Sequence, residues 1–143
     1  MSLPPFIYIL AAVWFLYNQI LAYRRAQASH NWPQTKGHVT VAQRQLFGID
    51  DYANLTGARI IYEYNVQKAK YTSHTVAFSP KFARPHQLIT KYRAGKNVIV
   101  FYDPKNPEIA VLEAGPKRSN YVMLLAGGLF FVLAALNLIF QLI

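Results

Sequence analysis

The sequence predicts a membrane α+β fold: two transmembrane helices flanking a small antiparallel β domain of about five strands with one short helix. Three observations carry that prediction. Residues 4–23 and 119–143 contain no charged side chain, while all 15 Lys and Arg and all 6 Asp and Glu lie between Arg24 and Arg118. Within that charged middle, short runs alternate between apolar and polar residues and are separated by turn formers. One stretch alone, after Pro85, has helical spacing.

The first element is the apolar run of residues 4–23, "PPFIYILAAVWFLYNQILAY". It matches the ~20 residues needed to cross ~30 Å of hydrocarbon at ~1.5 Å per residue. Tyr17 and Tyr23 sit where an interfacial aromatic belt belongs, as does Tyr121 at the start of the second run. A core helix of a soluble protein is the competing reading, but the middle is too small to cover two such helices. A cleaved signal peptide would need positive charge before the apolar run, and "MSLPP" has none. Ala26-Gln27-Ala28 resembles a cleavage site but follows Arg24 and Arg25.

The middle is read as residues 24–118. Gly37–Gly48 alternates and is read as a first strand. Ile60, Tyr62, Tyr64 and Val66 fall on one face of a second, with Glu63, Asn65 and Gln67 on the other. "KAK" is read as the turn, and Tyr71–Ser79 as a third strand rich in Thr, Val and aromatics. From Pro85, Leu88, Ile89 and Tyr92 predict a short helix ended by Gly95. "NVIVFY" and "EIAVLE" are the fourth and fifth strands, and the pattern leaves open whether the sheet closes into a small barrel.

Between those last strands stands "DPKNP", which is either a chemical site or a corner. Pro104 presets φ for a turn, Asp103 can accept a backbone N–H, and Asn106-Pro107 repeats the logic. A catalytic aspartate needs a partner, and none is near in sequence, so Asp103 is read as a turn former. "NWPQTKG" after the first helix, the Tyr62–Tyr64 strand and "KYRAGKNVIVFYDPKNPEIAVLE" before a second apolar run are similar to the family catalogued as domain of unknown function 3592. Its most specific positions here are Trp32, Pro33 and Gly37, the Tyr62–Tyr64 strand, and Gly95 through Glu113. That resemblance implies a membrane-anchored small β domain, and it brings no reaction or catalytic residues with it.

The last element, residues 119–143, carries small residues for close helix packing: Gly127, Gly128, Ala134 and Ala135. Asn18 and Gln19 in the first helix, and Asn137 and Gln141 in the second, are polar groups at membrane depth. Asn18 lies near the domain end and Asn137 near the far end, so the two cannot pair within one chain. A helix from another copy, or from a larger complex, would supply partners.

Orientation follows the cations near the spans. Arg24, Arg25 and Lys36 follow the first; Lys105, Lys117 and Arg118 precede the second. A cytoplasmic middle with both termini outside is expected, as in an integral protein of a bacterial inner membrane. Absence of cysteine fits a cytoplasmic domain.

Chemistry is sparse. No phosphate-binding loop, dinucleotide fingerprint, zinc-protease helix or nucleophile elbow occurs. His30, His38, His74 and His86 are scattered without cysteines, so neither a metal nor a cofactor is expected. What stands out is an acid-free run from Gln67 to Tyr102 holding Lys68, Lys70, Lys81, Arg84, Lys91, Arg93 and Lys96. A solvated surface kept positive by topology is one reading; docking onto an anionic surface is the other. Membrane headgroups come first as the docking partner, then an acidic protein, with nucleic acid last. The leading expectation is a non-catalytic accessory or scaffold subunit of a membrane protein complex. It would work through helix packing and the basic β domain, with the lipid bilayer and a membrane protein or a further copy as partners. An immunity or inhibitor protein neutralising a membrane-active toxin is the alternative, and a hydrolytic enzyme ranks third.

Overall fold

The structure, a computed structural model, describes residues 4–44, 57–78 and 85–142. Two long apolar helices flank a five-stranded antiparallel sheet and a short helix. Helix α1 spans Pro5–Ser29, with Pro in its first turn, where a missing N–H costs nothing. It runs past the apolar span because Arg24 through Ala28 are good helix formers, and it stops before Pro33, which disfavours helical backbone in the residue ahead of it. Helix α3 spans Arg118–Leu142 and packs antiparallel beside α1. The rings of Tyr23 and Tyr121 meet edge-on with centroids 5.5 Å apart, and Gly127 lies against Phe15 and Leu16.

Strand β1 (Gln34–Arg44) is central, pairing with β2 (Ala58–Val66) on one side and β4 (Asn97–Tyr102) on the other. Its predicted continuation to Gly48 lies outside the described residues. β3 (Ala69–Ser73) flanks β2 and β5 (Ala110–Val111) flanks β4, giving the order β3-β2-β1-β4-β5. The inner face of β2 is as its alternation predicts: Ile60, Tyr62, Tyr64 and Val66 are buried, with Val39, Val100, Leu88 and Tyr92 around them. Gly37 lets the sheet bend, since β2 and β4 crowd the space its side chain would fill. A bulge between Val39 and Val41 bends it further.

The edges differ from expectation in an informative way. The turn is Gln67-Lys68, both with positive φ (49° and 71°), and Ala69 and Lys70 already belong to β3. Two-residue hairpins with that geometry usually advertise themselves by Asn-Gly, and Gln-Lys does not. The third strand leaves β2 at Ser73, where the Ser73 hydroxyl bonds the Ala110 carbonyl. Beyond it, the Val76 carbonyl accepts from the Leu112 and Glu113 amides at 3.0 and 2.8 Å. Each predicted outer strand is thus split. Its first half pairs within the sheet, and its second half meets the other edge, curling the sheet into a half-barrel.

Helix α2 (Pro85–Lys91) is the predicted short helix, two turns long. The Tyr92 amide still bonds the Leu88 carbonyl, and Gly95 adopts φ +85° so that its N–H reaches the Val39 carbonyl at 2.8 Å. Tyr62 ties the curled edges together from inside. Its hydroxyl lies 2.7 Å from the Thr75 carbonyl and 2.9 Å from that of Ala110. Burial pushes this phenol well above its ordinary pKa, keeping it a neutral donor. Burial likewise raises Tyr64 to about 12, with the neighbouring Tyr71 and Glu108 adding to the shift, and Tyr64 donates to the Pro107 carbonyl.

Candidate functional site

The helices join the β domain through a built junction that sequence reasoning missed. Ser29, 1% exposed at the end of α1, donates to the Ala26 carbonyl and accepts from the Gly115 amide at 3.0 Å. Gly115 has φ +85° and sits under the His30 ring. Asn120 caps α3 by accepting the Lys117 amide at 2.9 Å, and it donates to the Phe78 carbonyl at 3.0 Å. Trp32 and Phe78 meet edge-on beside it. The one legible signal was Trp32 and Pro33 directly after the helix; the serine and asparagine look ordinary until the chain is folded.

A second node centres on Glu113. Its Oε1 accepts from the Tyr92 hydroxyl at 2.6 Å and from Lys91 Nζ at 2.8 Å, while Lys117 Nζ stands 3.8 Å from Oε2. Burial, and then the hydrogen bond to this carboxylate, raise Tyr92 far above its ordinary value. The phenol stays protonated and donating, so α2 is fastened to the segment that enters α3. Chemically, the node can neutralise and hold; its carboxylate is already spoken for by cations.

The predicted basic run is sorted by the fold. Lys68 is in the β2–β3 turn, and Lys70 in β3 pairs with Glu63 at 2.7 Å. Lys91 ends α2, with Arg93 and Lys96 just beyond it; Lys91 pairs with Glu113 and Lys96 Nζ donates to the Lys91 carbonyl. Lys81 and Arg84 lie outside the described residues. The run is acid-free in sequence only, because strand pairing and the α3 approach bring Glu63 and Glu113 back to it. On the outer face of the sheet, a shallow depression of about 700 Å³ is lined by Lys36, His38, Glu63, Lys70, Asn97 and Ile99.

Asp103 sits in a corner. Its Oδ1 accepts the Lys105 amide at 2.8 Å and its own amide reaches the Ile109 carbonyl, while Asn106 Oδ1 accepts the Glu108 amide at 3.3 Å. These are local turns of the kind the sequence predicts. Asp103→Asn should therefore shift stability by less than about 0.5 kcal/mol, since asparagine offers the same oxygen; a thermal melt checks this. A large loss would mean the charge has a further task.

Among the described residues, no group of three or more His, Asp or Glu converges on one point. His38 Nδ1 is 3.3 Å from Asn97 Oδ1, and His86 is exposed on α2. His74 is exposed as expected, though past the end of β3 rather than within it. In the helices, Gly127 packs against α1, whereas Gly128 faces open space. Ala134 is buried. Asn18 donates to the Trp14 carbonyl of its own helix at 2.7 Å, Gln19 is half-buried and Asn137 is exposed at the far end.

The family model described as Domain of unknown function (DUF3592) matches residues 35–117, the β domain from the start of β1 to the entry of α3. No curated protein and no solved structure matches the chain.

Proposed function

We propose that this chain, which belongs to the DUF3592 family, is a non-catalytic accessory or scaffold subunit held in a membrane by α1 and α3. In this reading the helical pair spans the bilayer of a bacterial inner membrane, the β domain faces the cytoplasm, and the partner is a membrane protein or a further copy. One observation carries it. The two helices turn large apolar side chains outward along their length: Trp14, Leu125 and Phe140 are 69%, 75% and 79% exposed. Only 6% and 11% of the two apolar windows is buried. Core helices of a soluble protein are mostly covered, so these surfaces call for lipid or another apolar partner.

The cysteine-free chain makes the topological test clean. A thiol at Ser2 should react with an impermeant reagent in intact cells, and one at Thr72 should react only after lysis. Thr72 is exposed on β3, whereas the adjacent Ser73 is buried against Ala110 and would stay silent on either side. Labelling of Thr72→Cys in intact cells would overturn the cytoplasmic placement. Extraction of the protein by alkaline carbonate would overturn membrane spanning itself. The scaffold role is tested by mild-detergent purification, which should retain a stoichiometric membrane partner.

A further inference from the structure

We infer that Arg24, Arg25, Lys117 and Arg118 form a collar around the helical pair that binds the headgroups of anionic phospholipids. The inference deepens the membrane reading above and rests on it. The seven cations singled out along the chain do not include these residues, and it is the pairing of the two helices that brings them together.

The register fixes the collar. Tyr23 meets Tyr121 ring to ring at 5.5 Å, and Phe15 and Leu16 pack on Gly127. With antiparallel helices, Arg24 and Arg25 are then level with Ser119 and Asn120, and Lys117 and Arg118 follow within one turn. Arg24, Arg25 and Arg118 are exposed and Lys117 is half-buried. The aromatic pair lies immediately on the apolar side of the cations, the depth at which tyrosine sits among headgroups. Four cations from two helices therefore meet the phosphate level together, at one depth rather than along a tail.

The backbone that carries the collar is anchored to the β domain. The Ser29–Gly115 bond closes one side, and Asn120 holds both the Lys117 amide and the Phe78 carbonyl on the other. Lys117 Nζ pairs with Glu113 Oε2 at 3.8 Å, beyond hydrogen-bond distance, and its side chain is 43% exposed, so its N–H donors can also meet a second anion. Three of the four are arginines, whose planar guanidinium meets a phosphodiester with two parallel N–H donors. Cations held at one level by an anchored backbone favour anionic lipid, whereas positive charge that only sets topology requires no common level.

The test uses the full chain in vesicles of phosphatidylcholine with a minor share of phosphatidylglycerol, extracted as polymer-bounded nanodiscs so that annular lipid is retained. Each cation near an anionic surface contributes about fivefold in affinity. The wild type should enrich phosphatidylglycerol over the bulk ratio, and the R24Q/R25Q/K117Q/R118Q variant should lose at least tenfold of that preference. A K68Q/K70Q variant should keep it. R24Q/R118Q, which removes one cation from each helix, should fall between and serves if the fourfold variant does not fold. Raising salt to ~1 M, where the Debye length is ~3 Å, should abolish the enrichment. No enrichment by wild type, or equal enrichment by the collar variants, would overturn the inference while membrane insertion still stands. Release of the wild type by carbonate would instead remove the spanning reading beneath it.

Discussion

Gly37→Ala should destabilise the β domain by about 3 kcal/mol or more, and Gly37→Val should leave it unfolded. Gly37 is paired on both sides, to Tyr64 of β2 and Val98 of β4, at the inside of the sheet's bend. A Cβ there would stand 2.5 Å from Val100 Cγ2 and 2.9 Å from the Glu63 carbonyl oxygen. Neither neighbour can yield cheaply. Val100 is fully buried and stiff at χ1, and Glu63 O is backbone engaged in the sheet. Since a domain of this size has only about 5–15 kcal/mol of total stability, relief by local unbending would undo much of the core. Thermal melts of the detergent-solubilised protein, with limited proteolysis, would report it: the β domain should be cut while the helices remain protected. Gly128→Ala is the matched control, because nothing lies within 4 Å of that position. A normal melt for Gly37→Val would mean that the sheet does not need this close approach.

The second large effect is expected at Tyr62. The side chain is 0% exposed, and its hydroxyl reaches both the segment after β3, at Thr75, and β5, at Ala110. Tyr62→Ala removes a fully buried ring and should cost about 3–5 kcal/mol. Tyr62→Phe keeps the ring but leaves the Thr75 carbonyl without this donor, while Ala110 retains Ser73 Oγ at 3.3 Å. That should cost about 1 kcal/mol, the net worth of a hydrogen bond to a part-buried acceptor. Denaturant midpoints separate the two terms. Hydrogen exchange adds a local readout, because the Leu112 and Glu113 amides that bond Val76 should exchange faster in Tyr62→Phe than in wild type. Unchanged protection would show that ring packing alone holds the curled edges together.

The candidate functional surfaces show why some features can be read early and others cannot. The Asp103 corner was legible because an Asx turn is local: the side-chain oxygen and the amide it accepts are two residues apart. The basic run was legible as charge but not as a surface, because Glu63 and Glu113, which neutralise Lys70 and Lys91, lie outside it in sequence. The junction at Ser29, Gly115 and Asn120 carried almost no signal. Its central bond spans 86 residues, and buried serine and asparagine are common where they meet nothing special.

By itself, the sequence determined what depends on neighbours along the chain. Two uncharged runs of spanning length set the helices; the alternation of Ile60, Tyr62, Tyr64 and Val66 set the buried face of β2; Pro85 and Gly95 set the limits around α2. Each is a short-range preference of periodicity, dihedral angle or solvation. Only the tertiary structure decided where Tyr71–Ser79 and Glu108–Glu113 would change partners. Both stretches have strand-forming residues on either side of the break, so local preference cannot say where one ladder ends. The curl of the sheet at Gly37, together with the two hydroxyls of Tyr62 and Ser73, brings the opposite edges within reach and sets the exchange at Val76. The same holds for the cations at Arg24, Arg25, Lys117 and Arg118: helix pairing, measured by Tyr23 against Tyr121, places residues from opposite ends of the chain at one level.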